Sequence, residues 1–182
     1  AQVLDFEALA HHRSSVLGAI PGQGQPSQKR FDTLVWNALR SFDTRRPVFV
    51  ESESKKVGNV AIHTGLLQAM RASACVWVEL PLQERVALLL EDYVFFLRNP
   101  EHFCNRLEAL TAQRGKATVQ AWKDAVAQGD FASVVRSLLT DHYDPVYLQS
   151  MERNFGQFAT ARRLDLGDRS EAAMRQAALA LR

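Results

Sequence analysis

Cysteine is nearly absent from this 182-residue chain: only Cys75 and Cys104 occur, without a Cys-x-x-Cys pair and without a His cluster around either. That excludes a disulfide framework and a structural zinc site and leaves two buried thiols as the expectation. Long apolar runs are missing too. None approaches the roughly 20 residues of a membrane span, and the opening AQVLDFEALA has acids where a signal peptide has a basic and then an apolar stretch. The expected setting is soluble and cytoplasmic, with no membrane contact. Nor is one charge in excess: 22 Lys and Arg face 20 Asp and Glu, and residues 1–100 and 101–182 each carry 11 basic and 10 acidic side chains. A histone-like basic surface is excluded. The first residue is not Met and a strand follows almost at once, so the chain reads as a piece cut from something longer.

What is there is a globular composition, 47% hydrophobic and 23% charged, suited to one domain or one domain with a large insertion. Arg makes up 17 of the 22 basic residues, and its planar fork pairs bidentately with phosphate. Genome base composition produces the same excess, so it points only weakly to an anionic partner.

Four β-rich runs stand out: Gln2 to Phe6, Pro47 to Glu51 (PVFVE), Cys75 to Leu80 (CVWVEL) and Ala159 to Leu166 (ATARRLDL). The middle two are nearly continuous apolar runs, as expected of strands covered on both faces of a parallel sheet. Phe31, Leu34, Val35, Leu39 and Phe42 recur at helical spacing after the loop PGQGQPSQ, and Leu66 to Ala72 supplies a second helix. The first 80 residues thus read as alternating α/β with right-handed crossovers. From Leu82 the pattern turns to successive helices. One stripe is Val86, Leu89, Leu90, Tyr93, Val94 and Leu97; others run through Phe103 to Leu110 and Val119 to Val126. Asp130 reads as the cap of a further helix, Asp144 with Pro145 as the start of the next, and Ser170 as the start of the last. The predicted fold class is therefore α/β, with a core of residues 1–81 and 159–182 and an all-helical insertion over 82–158.

Such a core, interrupted by a helical lid, is the plan of the phosphate-binding-loop (P-loop) kinases. A Gly-rich loop ending in Lys is nowhere in these residues, however, and PGQGQP does not replace it. The segment VFVESESKK carries the sharpest chemical signal. Glu51 directly follows an apolar strand, at the carboxyl edge where open α/β sheets bind ligands, and there it could hold Mg²⁺ or orient a nucleophile. Ser54, Lys55 and Lys56 offer donors to phosphate oxygens, and Glu53 could lock a basic neighbour; a solvated strand end explains the same residues. His11 and His12 precede Arg13 and Ser15 on the same expected edge. Adjacent histidines diverge by about 100° on a helix, so this block fits anion contact better than metal ligation. A surface loop without a role fits it as well. Arg85, one turn into the helix after CVWVEL, can reach the same edge.

These residues also carry a family resemblance. The string LAHHRSSVLGAIPGQGQPSQKRFDTLVWNAL resembles the segment after the P-loop of tRNA 2-selenouridine synthases, with their His-Arg-Gly-Ser and Gln-Pro-Ser-Gln blocks. PVFVESESKKVGN is similar to the family's Glu-Ser-Glu-Ser strand end, and ERVALLLEDY and HYDPVYLQSM match later blocks. The resemblance implies a P-loop-type parallel sheet whose first strand is missing here, with a helical lid. It implies an enzyme that converts wobble 2-thiouridine of tRNA to 2-selenouridine, using selenophosphate, through an S-geranylated intermediate made from geranyl diphosphate. It also implies a rhodanese-like domain and a P-loop segment elsewhere in the parent chain. His12, Arg13, Ser15, Gln25, Gln28, Glu51, Glu53, Ser54, Lys55 and Gly58 match the family pattern. On this reading Glu51 and Arg13 are catalytic, Arg13 and Lys55 stabilise a departing diphosphate with Mg²⁺ near Glu51, and the others, with Arg85, bind substrate or phosphate. The rings of Tyr93, Phe95, Phe96 and Phe103 are a candidate geranyl groove or, alternatively, core. Two departures stand out: Ser14 replaces the usual Gly, and Ile62-His63-Thr64 replaces a Pro-containing turn. The missing strand would lie between PVFVE and CVWVEL, so these should not pair with each other, and the chain alone should be inactive. A P-loop small-molecule or nucleotide kinase and a non-catalytic interaction domain remain as alternatives.

Overall fold

A computed structural model describes residues 1–52 and 54–181, so the expectation placed on Glu53 lies outside the described residues. Its contacts divide the chain into two compact units, Ala1–Ser73 and Ala74–Arg182.

Asp5 decides how the first unit begins. Its side chain accepts the Ala8 N–H at 2.7 Å, which ends strand β1 (Gln2–Leu4) and starts the short helix α1 (Phe6–Ala10). The strand expected to run to Phe6 stops early for this reason. Ser27 caps helix α2 (Gln28–Ser41) through the Arg30 N–H, and α2 buries Phe31 and Val35. Strand β2 (Val48–Val50) then pairs parallel with β1, Gln2 opposite Val48. A hairpin follows that the sequence did not announce: β3 (Lys56–Val57) and β4 (Val60–Ala61), antiparallel, turn at Gly58 with φ +59°. Helix α3 (Thr64–Ala72) is capped by His63, whose Nδ1 accepts the Gly65 N–H at 3.2 Å. The residue that departs from the family's Pro-containing turn therefore does the capping itself. Leu4, Phe6, Phe31, Val57, Val60 and Leu67 belong to the buried cluster of this unit, with Phe6 and Phe31 packed at 6.2 Å between ring centroids. Truncating either ring to Ala should cost about 3–5 kcal/mol.

In the second unit β5 (Val76–Glu79) pairs parallel with β6 (Arg162–Asp165), Val76 opposite Arg162. The helical stretch runs between them: α4 (Leu82–Asp92), α5 (Val94–Arg98), α6 (Pro100–Leu107), α7 (Thr111–Arg114), α8 (Lys116–Ala127), α9 (Phe131–Ser137), a π-helical segment (Leu138–Tyr143) and α10 (Asp144–Asn154). After β6 comes α11 (Glu171–Ala180), capped by Ser170 as expected. Val119, Trp122 and Val126 of α8 are buried, and Asp130 caps α9 through the Ser133 N–H at 3.1 Å.

Four expectations are corrected here. The stripe from Val86 to Leu97 is not one helix, because Tyr93 (φ −107°, ψ 31°) breaks it between α4 and α5. Asp144 does not cap α10: the π-helical turns run straight into it, and the Asp144 carboxylate turns instead to Arg85. The apolar strands are not covered on both faces. Val48 and Val78 are 37% and 55% exposed, because among the described residues each parallel pair stands as a two-stranded sheet. Among the described residues PVFVE and CVWVEL do not pair with each other. The two thiols are half-buried rather than buried, and burial still pushes that of Cys75 up. No described helix is long and apolar enough to cross a membrane.

Candidate functional site

Glu51 leaves the end of β2 half-buried, and its Oε1 accepts the N–H groups of Phe6 and of Glu7, the latter at 3.1 Å. A carboxylate there satisfies two of the donors that the first turn of α1 cannot pair internally and meets the positive end of the helix. Its first task is therefore to fasten β2 to α1, with Oε2 as the oxygen left for other partners. Arg13 follows the other end of α1. At 1.5 Å per residue this five-residue helix is about 7.5 Å long, with Glu51 at its first turn and the Arg13 turn beyond its last residue.

The turn itself is tightly made. The His12 N–H bonds Glu7 O at 3.0 Å, the Arg13 N–H bonds Gly18 O at 2.9 Å, and the N–H of Ser15 bonds Arg13 O at 2.7 Å. Ser14 has φ +52°, the left-handed conformation that costs an L-residue about 1 kcal/mol and that the family's Gly adopts freely. Its hydroxyl donates to Lys56 O at 3.5 Å, tying the Arg13 turn to the segment that bears Ser54, Lys55 and Lys56. Ser54 Oγ donates to Lys56 O at 2.8 Å, and the Lys55 side chain is exposed.

Gln25, Gln28 and Gly58 are engaged in holding backbone. Gln25 Nε2 donates to Ala10 O and Val57 O at 3.2 and 3.0 Å, while its Oε1 accepts the Asn59 N–H at 2.8 Å. A Cβ on Gly58 would lie 2.3 Å from Gln25 Oε1, so Gly is required for space as well as for φ. Gln28 pairs with the main chain of Ala61 in both directions at 2.8 Å, extending the hairpin like an added strand residue. Phosphate contact by Gln25 or Gln28 would break these bonds. Two amides three residues apart, on either side of Pro26 and the Ser27 cap, were the only sequence trace of this clamp.

In the second unit Arg85 and Asp144 form a bidentate ion pair, one arm at 2.9 Å, that raises the Arg85 pKa further and occupies its fork. The pair sits in a cleft of about 960 Å³ at the carboxyl ends of β5 and β6, whose walls include Leu80, Tyr147, Met151 and Leu166. Of the four rings of the candidate groove, Phe96 and Phe103 are buried and stack at 4.7 Å, while Tyr93 and Phe95 are half-buried. Among the described residues, no group of three His, Cys, Asp or Glu side chains is placed to hold a metal ion. A Mg²⁺ at this edge would find Oε2 of Glu51 as its protein ligand.

Parallel strand pairs with a carboxylate and cations at their carboxyl edge are the layout of open α/β ligand-binding domains. A family model described as tRNA 2-selenouridine synthase AAA domain matches residues 1–109, and the chain belongs to that family. It is similar to the tRNA 2-selenouridine synthase of Alcanivorax borkumensis, 29% identical over 181 residues that cover 84% of this chain and 50% of the relative. The corresponding protein of Bordetella bronchiseptica is 31% identical over 172 residues, covering 79% and 46%. That of Nitrosomonas eutropha is 40% identical over 98 residues, covering 50% and 24%. The chain spans about half the length of the curated relatives it matches. No solved structure matches it.

Proposed function

We propose that this chain is the P-loop-type part of a cytoplasmic enzyme that converts wobble 2-thiouridine of tRNA to 2-selenouridine. In this reading geranyl diphosphate supplies an S-geranylated intermediate and selenophosphate supplies the selenium. The names of the relatives support a role in tRNA selenouridine modification. The observation that carries the site is the Ser14–Lys56 hydrogen bond, which joins segments 42 residues apart and puts the Arg13 turn beside the Lys55 segment. As the allylic C–O bond breaks, negative charge grows on the leaving diphosphate. Arg13 and Lys55, with His12 and Ser15 as donors, stabilise that charge, and the same cations attract selenophosphate. Glu51 acts by holding the end of β2 to α1, so that this rim is preformed.

The pairings support a P-loop-type sheet without its first strand: β2 and β5, the strands that would flank it, each have one neighbour among the described residues. The first strand with its Gly-rich loop, and the rhodanese-like domain, then belong to the rest of the parent protein.

The test uses the full-length protein. Arg13→Gln and Lys55→Gln should each lower selenium incorporation into tRNA by roughly 100-fold. Glu51→Ala removes the acceptor of the two α1 N–H groups, so it should loosen the end of β2 from α1 and weaken transfer. Unchanged incorporation in all three variants would refute the site. A kinase in its place would show no salt-sensitive affinity for tRNA.

A further inference from the structure

Among the described residues Trp36 is the most exposed of the large apolar side chains, at 61%. It lies on α2, whose other face buries Phe31 and Val35. Lys29, Thr33, Trp36 and Arg40 fall at i, i+4, i+7 and i+11, one stripe along the helix, and all four are exposed. The indole forms a ridge between two grooves. One, of about 490 Å³, has the apolar walls Val35, Leu39, Ile62 and Leu66; the other, of about 500 Å³, is walled by Gln28, Lys29, Asp32 and Thr33. α2 carries three cations, Lys29, Arg30 and Arg40, against one acid. That acid, Asp32, accepts a hydrogen bond from Gln28 at 2.8 Å.

A flat ring flanked by cations, with an apolar slot on one side and a polar one on the other, matches the chemistry of a single nucleic-acid strand. Bases need a π-face and a dry slot, and phosphates need cations. Lys29 to Arg40 spans about 16 Å of helix axis, enough for a few nucleotides.

We propose that this face of α2 receives a single-stranded stretch of RNA, one base stacking on Trp36 while Lys29 and Arg40 meet the backbone phosphates. The proposal rests on the reading that tRNA is the substrate, and adds where a loop of it is held.

The experiment measures binding of an unmodified tRNA transcript and of a ten-nucleotide single-stranded RNA to the full-length protein across a salt series. Trp36→Ala should weaken both by about 5- to 100-fold without changing the salt slope, and Trp36→Phe should recover most of that loss. Replacing Lys29 and Arg40 together by Gln should reduce the log–log salt slope by about 1.4. If the parent protein binds tRNA and Trp36→Ala binds it equally well, the surface is refuted and the proposed function stands. If Trp36→Ala instead leaves RNA affinity intact but opens the full-length protein to protease, α2 faces another protein segment and the proposal is likewise refuted. If the parent protein binds neither RNA, the reading beneath it fails.

Discussion

Gly58 and Gln25 show how closely single residues are matched in the first unit. The turn requires φ +59° and leaves no space for a Cβ beside the Gln25 amide. Gly58→Ala should therefore cost about 2–4 kcal/mol, combining backbone strain with the clash. In a Gln25→Ala background part of that clash disappears, so the double variant should be less destabilised than the sum of the singles by at least about 0.5 kcal/mol. Denaturant midpoints of the four proteins check this; strict additivity would mean the two residues do not touch. The family's block of two Gln around Pro-Ser was legible in the sequence as a motif, but its use was not. Periodicity and spacing cannot tell an amide that awaits a ligand from one that clamps a hairpin.

At the scale of elements, the π-helical segment between α9 and α10 buries His142, whose Nδ1 accepts from Arg114 Nε at 3.0 Å. That bond requires a neutral ring with its proton on Nε2. Burial, and secondarily the Arg114 charge, hold the His142 pKa below its ordinary value of 6.5. The unfolded chain thus takes up a proton that the folded chain resists. Stability from this group is full above pH 6.5 and falls as the pH drops through that value toward the lower folded one. The urea midpoint should decline between pH 7.5 and pH 5.5, and His142→Gln should flatten the decline; an equal slope in the variant would refute the assignment. Long elements with strong stripes, such as α2 and α8, could be read directly. The five-residue α1 and the two-residue strands of the hairpin could not, since neither is long enough to show a period. Tyr93 ends α4 although the apolar stripe continues through it, because side-chain pattern does not report a backbone break.

At the scale of the whole molecule, the two parallel sheets among the described residues, each of two strands, leave apolar strand residues in the open: Val3 is 58% exposed and Val78 55%. Two strands alone are marginal, and their uncovered faces want a neighbour. The chain by itself should therefore bind an apolar dye such as ANS, and the full-length protein should bind less per molecule. Equal binding would mean that the rest of the parent leaves these faces open.

Composition and periodicity by themselves determined the α/β class, the helical stretch between two strands, and the caps Asp130 and Ser170, because these depend on neighbours along the chain. Only the tertiary structure decided that Glu51 fastens α1, that Arg85 is held by Asp144, that Phe96 and Phe103 are core, and that Trp36 is not. Each of those outcomes depends on which distant atoms arrive beside a side chain. A carboxylate, a guanidinium or an indole has the same letter in the sequence whether it meets a helix end, an opposite charge or water.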